Sequence, residues 1–101
     1  MPPMDELLHV GPGAEPHVIV LDGELDMSTT DQLDAAVAER HAAGITDITL
    51  DVAALAFIDS RGLRSLLIAA RSGVVSLRRP SPALLRLLQV SGLDGHFPVI
   101  D

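Results

Sequence analysis

Leu55-Ala56-Phe57-Ile58-Asp59-Ser60-Arg61-Gly62-Leu63-Arg64-Ser65-Leu66-Leu67 is the stretch on which the fold turns. An apolar run that reads as the end of a strand passes at once into an acid and a hydroxyl. Apolar residues then recur at helical spacing through Leu63, Leu66, Leu67 and Ala70. Ser60 reads as the N-cap of that helix, its oxygen accepting a free backbone N–H of the first turn, with Asp59 as a second capping acid. A helix start also favours an added anion, because unpaired N–H groups and the positive end of the dipole meet there. Gly62 leaves room for a partner backbone or a phosphate to come close. Phosphate on Ser60 adds about −1.5 to −2 charges beside Asp59, which sets up repulsion against an acidic surface or removes a neutral hydrogen bond at a contact. On this chemistry alone two readings stand, a structural cap and a switched acceptor.

Working outward, residues 45–52 alternate Ile48, Leu50 and Val52 against Asp47, Thr49 and Asp51, the period of a strand. Leu55, Phe57 and Ile58 then lead back into the core. Before them, residues 5–10 contain the apolar run Leu7-Leu8-His9-Val10, expected as an edge strand ended by the turn Gly11-Pro12-Gly13. Residues 17–21 are continuously apolar from Val18 to Leu21, as in a strand covered on both faces, and the short link makes a hairpin with the first. Gly23-Glu24-Leu25-Asp26 is expected to break that strand. Ser28, Thr29 and Thr30 offer caps, Asp31 suits a first turn, and Leu33, Ala36, Val37 and Arg40 follow at helical spacing to a stop at Gly44, with Arg40 at the edge of the stripe. Beyond the central stretch, Gly73 is expected to end the helix and residues 74–77 to form a strand. Ser81-Pro82 opens a third helix with Leu84, Leu85, Leu87 and Leu88 on its apolar side and Gly92 at its end. Residues 97–100 add a short last strand. The order is β-β-α-β-α-β-α(-β), an α/β fold with parallel strands joined by right-handed crossovers.

The 101 residues suit one domain, residues 1–101 with a core over about 17–100. Such a chain has little room for an enclosed pocket. With 48% hydrophobic residues, two Phe and no Trp or Tyr, the core must be built from Leu, Val, Ile and Ala. Fourteen acids against seven Arg and no Lys give a net charge of −7, which disfavours nucleic acid and an anionic membrane surface. Absent cysteine excludes disulfides, thiolate metal sites and cysteine nucleophiles. No apolar stretch approaches the roughly 20 residues of a membrane span. Met1-Pro2-Pro3-Met4-Asp5-Glu6 lacks the basic start and apolar run of a signal peptide, so a cytoplasmic location is expected.

Phe57-Ile58-Asp59-Ser60-Arg61-Gly62-Leu63 resembles the phosphorylation motif of the STAS domains, in particular the bacterial anti-sigma factor antagonists. Leu21-Asp22-Gly23-Glu24-Leu25-Asp26 is similar to that family's G-E-[LIV]-D turn. Pro80-Ser81-Pro82-Ala83 through Leu88, with Ser91-Gly92-Leu93, is similar to its last helix and turn. The three segments stand in the family's order over residues 17–100.

The resemblance implies a STAS-like fold, a mixed four- to five-stranded sheet with three to four helices. It also implies a regulatory cycle controlling sigma-factor-dependent transcription. The unmodified antagonist binds an anti-sigma factor that is a serine kinase, and so frees the sigma factor. The kinase phosphorylates Ser60 and the antagonist lets go. A metal-dependent serine phosphatase restores it. In such a cycle the chain is a substrate and not an enzyme, it has no catalytic residue, metal or cofactor of its own, and ATP and Mg²⁺ belong to the kinase. Asp22, Glu24, Asp26, Asp59, Ser60, Arg61, Gly62 and Arg64 are the implied partner-binding residues, and a monomer or weak homodimer is expected. A second possibility is a STAS-type interaction module of another assembly, a lipid-transport or stress-sensing complex, with Ser60 structural.

Two departures accompany the resemblance. Arg61 stands where a small residue is common, and Arg61 and Arg64 are both placed to pair with a phosphate on Ser60. Residues 69–74 are several residues shorter than usual, which means a trimmed second helix or residues absent from the chain. Other chemistries are poorly supported. His9, His17, His41 and His96 show no metal-ligand spacing. Ser60 and Asp59 lack the G-x-S-x-G elbow of a hydrolase.

Overall fold

The computed structural model describes residues 7–100. Asp5 and Glu6, expected in the first strand, lie outside the described residues. The strands are β1 (Leu8–Pro12), β2 (Val18–Leu25), β3 (Ile48–Ile58), β4 (Val75–Arg78) and β5 (Val99–Ile100). The helices are α1 (Thr30–Ala42), α2 (Ser60–Ala69) and α3 (Pro82–Val90). One five-stranded sheet runs β1-β2-β3-β4-β5. β1 is antiparallel to β2 and the other pairs are parallel. This is the mixed α/β sheet and element order that the sequence implies.

The inward side chains of the sheet meet all three helices in one apolar cluster. Leu8, Ile19, Leu21, Ile48, Leu50, Val52, Val75 and Leu77 supply the sheet side. Leu33 and Val37 of α1, Leu63, Leu66 and Ala69 of α2, and Leu84 and Leu88 of α3 close over it with Phe97. Full burial of one such side chain is worth about 1.5–3 kcal/mol, and the cluster unites every element except the two-residue β5. The expected stripe of α2 is thus present, with Leu67 and Ala70 half-buried at its margin. Arg40 lies at the edge of the α1 stripe, where its Nε donates to the Pro16 carbonyl at 2.9 Å. Ser81 caps α3 by accepting the Leu84 N–H at 3.1 Å, with Pro82 in the first turn.

Several boundaries differ from those read in the sequence, each for a physical reason. β1 continues through Gly11 and Pro12, since Pro12 sits on an edge strand and needs no ladder donor on its outer side. β2 does not break at Gly23. Gly23 takes φ +119°, open to a residue without Cβ, and β2 runs on to Leu25 beside β3, which carries one extra residue between Asp51 and Ala54 and another between Leu55 and Phe57. β3 is likewise longer than residues 45–52. Thr49 and Asp51, on the polar phase of the alternation, are nonetheless buried, because β3 is the middle strand and is flanked on both sides. Beyond Val52 the inward phase slips, and Leu55 is the next buried residue. The second extra residue of β3, between Leu55 and Phe57, shifts the phase again, and Phe57 is 51% exposed, not part of the core. α2 ends at Ala69, earlier than Gly73, and residues 70–74 lead directly into β4. A Cβ on Gly73 would run into the Thr46 carbonyl, so this short crossover is packed tightly against the β3 entry.

Candidate phosphorylation and partner-binding site

The C-terminal ends of β2 and β3 lie side by side, with Leu25 opposite Ile58 and Glu24 opposite Phe57. The loops into α1 and α2 therefore emerge together at one end of the parallel part of the sheet, where α/β folds place their functional groups. The β3–α2 junction is the tighter of the two. Asp59, not Ser60, is the N-cap of α2: its extended backbone (φ −106°, ψ −174°) turns the carboxylate back, and Oδ1 accepts the Gly62 N–H at 2.8 Å. Asp59 Oδ2 accepts the Met27 N–H at 3.3 Å, and the Asp59 N–H donates to the Leu25 carbonyl at 3.1 Å. The acid thus ties three backbone segments together. Ser60 is left as the first helical residue, exposed, its hydroxyl in no hydrogen bond among the described residues.

Gly62 explains how the helix comes so near the strand. A Cβ there would lie 2.5 Å from the Leu25 carbonyl oxygen, 2.8 Å from Ile58 Cγ1 and 2.9 Å from Leu25 Cγ. Only a glycine lets the first turn of α2 seat on β2, and that seating fixes the direction in which Ser60 points. Gly62 is buried by this contact, so it supports the site from beneath rather than facing a partner.

The neighbouring β2–α1 turn is organised by Thr29. Its buried hydroxyl donates to the Glu24 carbonyl at 2.8 Å and accepts the Asp26 N–H at 2.9 Å. It does not cap α1 directly, although it occupies the N-cap position. Asp26 Oδ1 accepts both the hydroxyl (2.6 Å) and the N–H (2.8 Å) of Ser28. The Ser28 hydroxyl, followed by its N–H, holds the exposed Asp26 carboxyl below its ordinary range. Between these anchors Met27 is pushed outward, 70% exposed.

Of the residues singled out in the sequence, Asp26, Asp59, Ser60, Arg61, Gly62 and Arg64 come together at this end, with Glu24 at the strand margin. Asp22 is the most distant. It pairs with Ala54, four positions before Ile58, about 13 Å back along the sheet. Sequence reasoning missed Met27, Thr29 and the outward Phe57. The pattern Thr29-Thr30-Asp31 signalled a helix start, but not that Thr29 would turn back to Glu24. Phe57 also borders an apolar groove of about 220 Å³ with Leu55, Ile58, Ser81, Leu84 and Leu87.

On the sheet face away from the helices, Asp51 Oδ2 accepts from Arg79 Nη2 at 2.6 Å and Oδ1 accepts the Ala53 N–H at 3.2 Å. Burial works against the ionised Asp51. The Arg79 hydrogen bond, the Ala53 N–H and the charges of Arg79 and Arg78 outweigh it and hold the carboxyl below its ordinary range. Among the described residues no group of three or more His, Asp or Glu is placed to hold a metal ion, and no helix is long and apolar enough to cross a membrane.

Residues 9–101 match the family model described as "Mlab, STAS domain". The chain is 34% identical over 93 residues to the anti-sigma F factor antagonist of Paenibacillus polymyxa, covering 83% of this chain and 77% of that protein. Among solved structures, an anti-sigma factor antagonist from Mycobacterium paratuberculosis superposes with a TM-score of 0.71 at 27% identity, covering 92% of this chain and 83% of that one. The Bacillus cell fate determinant SpoIIAA in its phosphorylated form superposes with a TM-score of 0.66 at 25% identity, covering 93% and 91%. A small mixed α/β domain carrying an exposed serine at the head of a helix is thus the class that fold and site define. The chain belongs to the STAS domain family, and its named relatives there are anti-sigma factor antagonists.

Proposed function

We propose that this chain is an anti-sigma factor antagonist whose unmodified form binds an anti-sigma serine kinase and whose phosphorylation on Ser60 releases it, so that it regulates sigma-factor-dependent transcription. The observation that carries the reading is the state of Ser60. It is exposed at the first position of α2, its hydroxyl unbonded, while Asp59 and Gly62 hold the backbone around it. A hydroxyl so presented is open to phosphoryl transfer, and the capping it would otherwise supply is already supplied by Asp59. A dianion there changes the local charge by about −1.5 to −2 units without displacing any packed group. The similarity to SpoIIAA, a protein with a phosphorylated form, supports the same reading.

In this account the chain is a substrate with no catalytic group or cofactor of its own. ATP and Mg²⁺ belong to the kinase, and a metal-dependent phosphatase reverses the step. Incubation of the purified protein with anti-sigma serine kinases and ATP, followed by peptide mass mapping, tests it. The expected result is one added phosphate, on Ser60, and none on a Ser60→Ala variant.

The matched family model carries the name Mlab rather than that of an antagonist. A second reading therefore stands beside the first: an interaction module of another assembly in which Ser60 is structural. Absence of phosphate transfer from every anti-sigma kinase of the host favours it.

A further inference from the structure

The outward face of α2 is a cationic ridge. At about 100° per residue, Ser60, Arg64, Ile68 and Arg61 fall within one arc of the helix, and all four are exposed. The opposite arc is Gly62, Leu63, Ser65, Leu66 and Ala69, all buried. α2 contains no acidic residue. Neither Arg61 nor Arg64 has an ion-pair or hydrogen-bond partner among the described residues, whereas Arg40 pairs with Glu39 and Arg79 with Asp51. In a chain of net charge −7 with only seven cationic side chains, two free guanidiniums follow the exposed serine within four positions. Beside them the exposed Asp31 and Asp34 lie on α1, and Asp34 and Ile68 share the groove between the two helices. The surface is therefore divided, with cations on α2 and anions on the adjoining edge of α1.

The geometry points to a protein partner whose docking patch is acidic opposite Arg61 and Arg64, with Ile68 and Met27 as apolar contacts. This rests on the proposed function, in which that patch belongs to the anti-sigma kinase. A long polyanion or an anionic membrane fits less well, because the acids of α1 and Asp26 would face the same sheet of negative charge. A protein surface can place carboxylates against α2 and leave cations or neutral groups against α1. The ridge also gives the switch its sign. Phosphate on Ser60 lies on the same arc as Arg61 and Arg64 and offsets their two charges. The acidic patch then meets guanidiniums already countered by the phosphate, and the arginines next to the acceptor sharpen release.

Two arms test this on the full chain. In the first, ¹⁵N-labelled protein is titrated at low salt with a short acidic peptide that spans α2 alone. Shifts concentrated on Arg61, Arg64 and Ile68 are expected, removed by the double variant Arg61→Ala/Arg64→Ala and reduced in Ser60→Glu. Shifts at Arg78 or Arg86 without α2, no shifts at all, or tighter engagement of α2 by phosphatidylglycerol vesicles than by the peptide overturn the inference. In the second arm, the double variant is expected to bind the kinase that phosphorylates Ser60 about tenfold more weakly than wild type, with the difference shrinking at high salt. Equal affinity overturns the acidic patch. Failure to find any such kinase sinks the proposed function instead, and the peptide titration still decides the ridge. Both variants change exposed side chains, and a thermal melt beside each titration checks that they are folded.

Discussion

Asp59 reaches back 32 positions from the head of α2 to accept the backbone N–H of Met27. With its other oxygen on Gly62 N–H, a single carboxylate joins the two loops at the end of the sheet and relieves Ser60 of the capping role. The exposed Met27 and the exposed Ser60 are therefore held by the same side chain, and a partner that contacts both meets a preformed surface.

Replacing Asp59 tests that junction. Asp59→Ala removes a side-chain cap and is expected to cost about 1 kcal/mol in urea unfolding. Hydrogen exchange should quicken at Gly62 and Met27. Asp59→Asn keeps an acceptor and should recover most of the stability. Unchanged exchange at both amides in Asp59→Ala would contradict the bonding described.

Gly62→Ala is expected to destabilise by about 1–3 kcal/mol, because the new methyl meets the Leu25 carbonyl and side chain and cannot be moved aside cheaply. The loss should appear in the urea midpoint, with ¹⁵N shifts centred on Leu25 and residues 58–63. An unaltered midpoint would mean that α2 does not seat on β2 as described.

The two phenylalanines should behave oppositely. Phe97 is 2% exposed and Phe97→Ala is expected to cost about 3–5 kcal/mol. Phe57 is half exposed, and Phe57→Ala should stay within about 1 kcal/mol of wild type. Equal losses at the two positions would place Phe57 in the core after all.

Asp51 gives an acid-dependent term. Its carboxyl lies below the ordinary value in the folded protein, so the folded state binds its proton less readily than the unfolded state does. That stabilisation is present above the unfolded value of about 3.8 and is lost as pH falls through the lower folded value. Wild type should therefore lose more stability than Asp51→Asn between pH 5 and pH 3, measured by urea unfolding at each pH. Parallel losses in the two proteins would contradict the Arg79 pairing.

Much of this was legible in the sequence because it depends on local spacing. The apolar stripe of α2, the Ser81-Pro82 start of α3 and the alternation of Ile48, Leu50 and Val52 all report neighbours within a turn or two. What escaped depends on residues far apart in the chain. Asp51 reads as a surface acid until Arg79, 28 positions on, is brought beside it. Phe57 reads as core until the extra residue of β3 between Leu55 and Phe57 takes it out of phase with Leu55. Asp59 and Ser60 are both good caps, and their roles were exchanged because the choice is made by Met27 and Leu25, which no local pattern reveals. The site residues themselves were read from adjacent positions and fell together, except Asp22, which the length of β2 carries away.

The switch is tested most directly by calorimetric titration of an anti-sigma serine kinase with unmodified protein and with protein carrying phosphoserine at position 60. The account predicts that the unmodified chain and Ser60→Ala bind alike, and that the phosphorylated chain binds at least tenfold more weakly. Equal affinities for the two forms would contradict it.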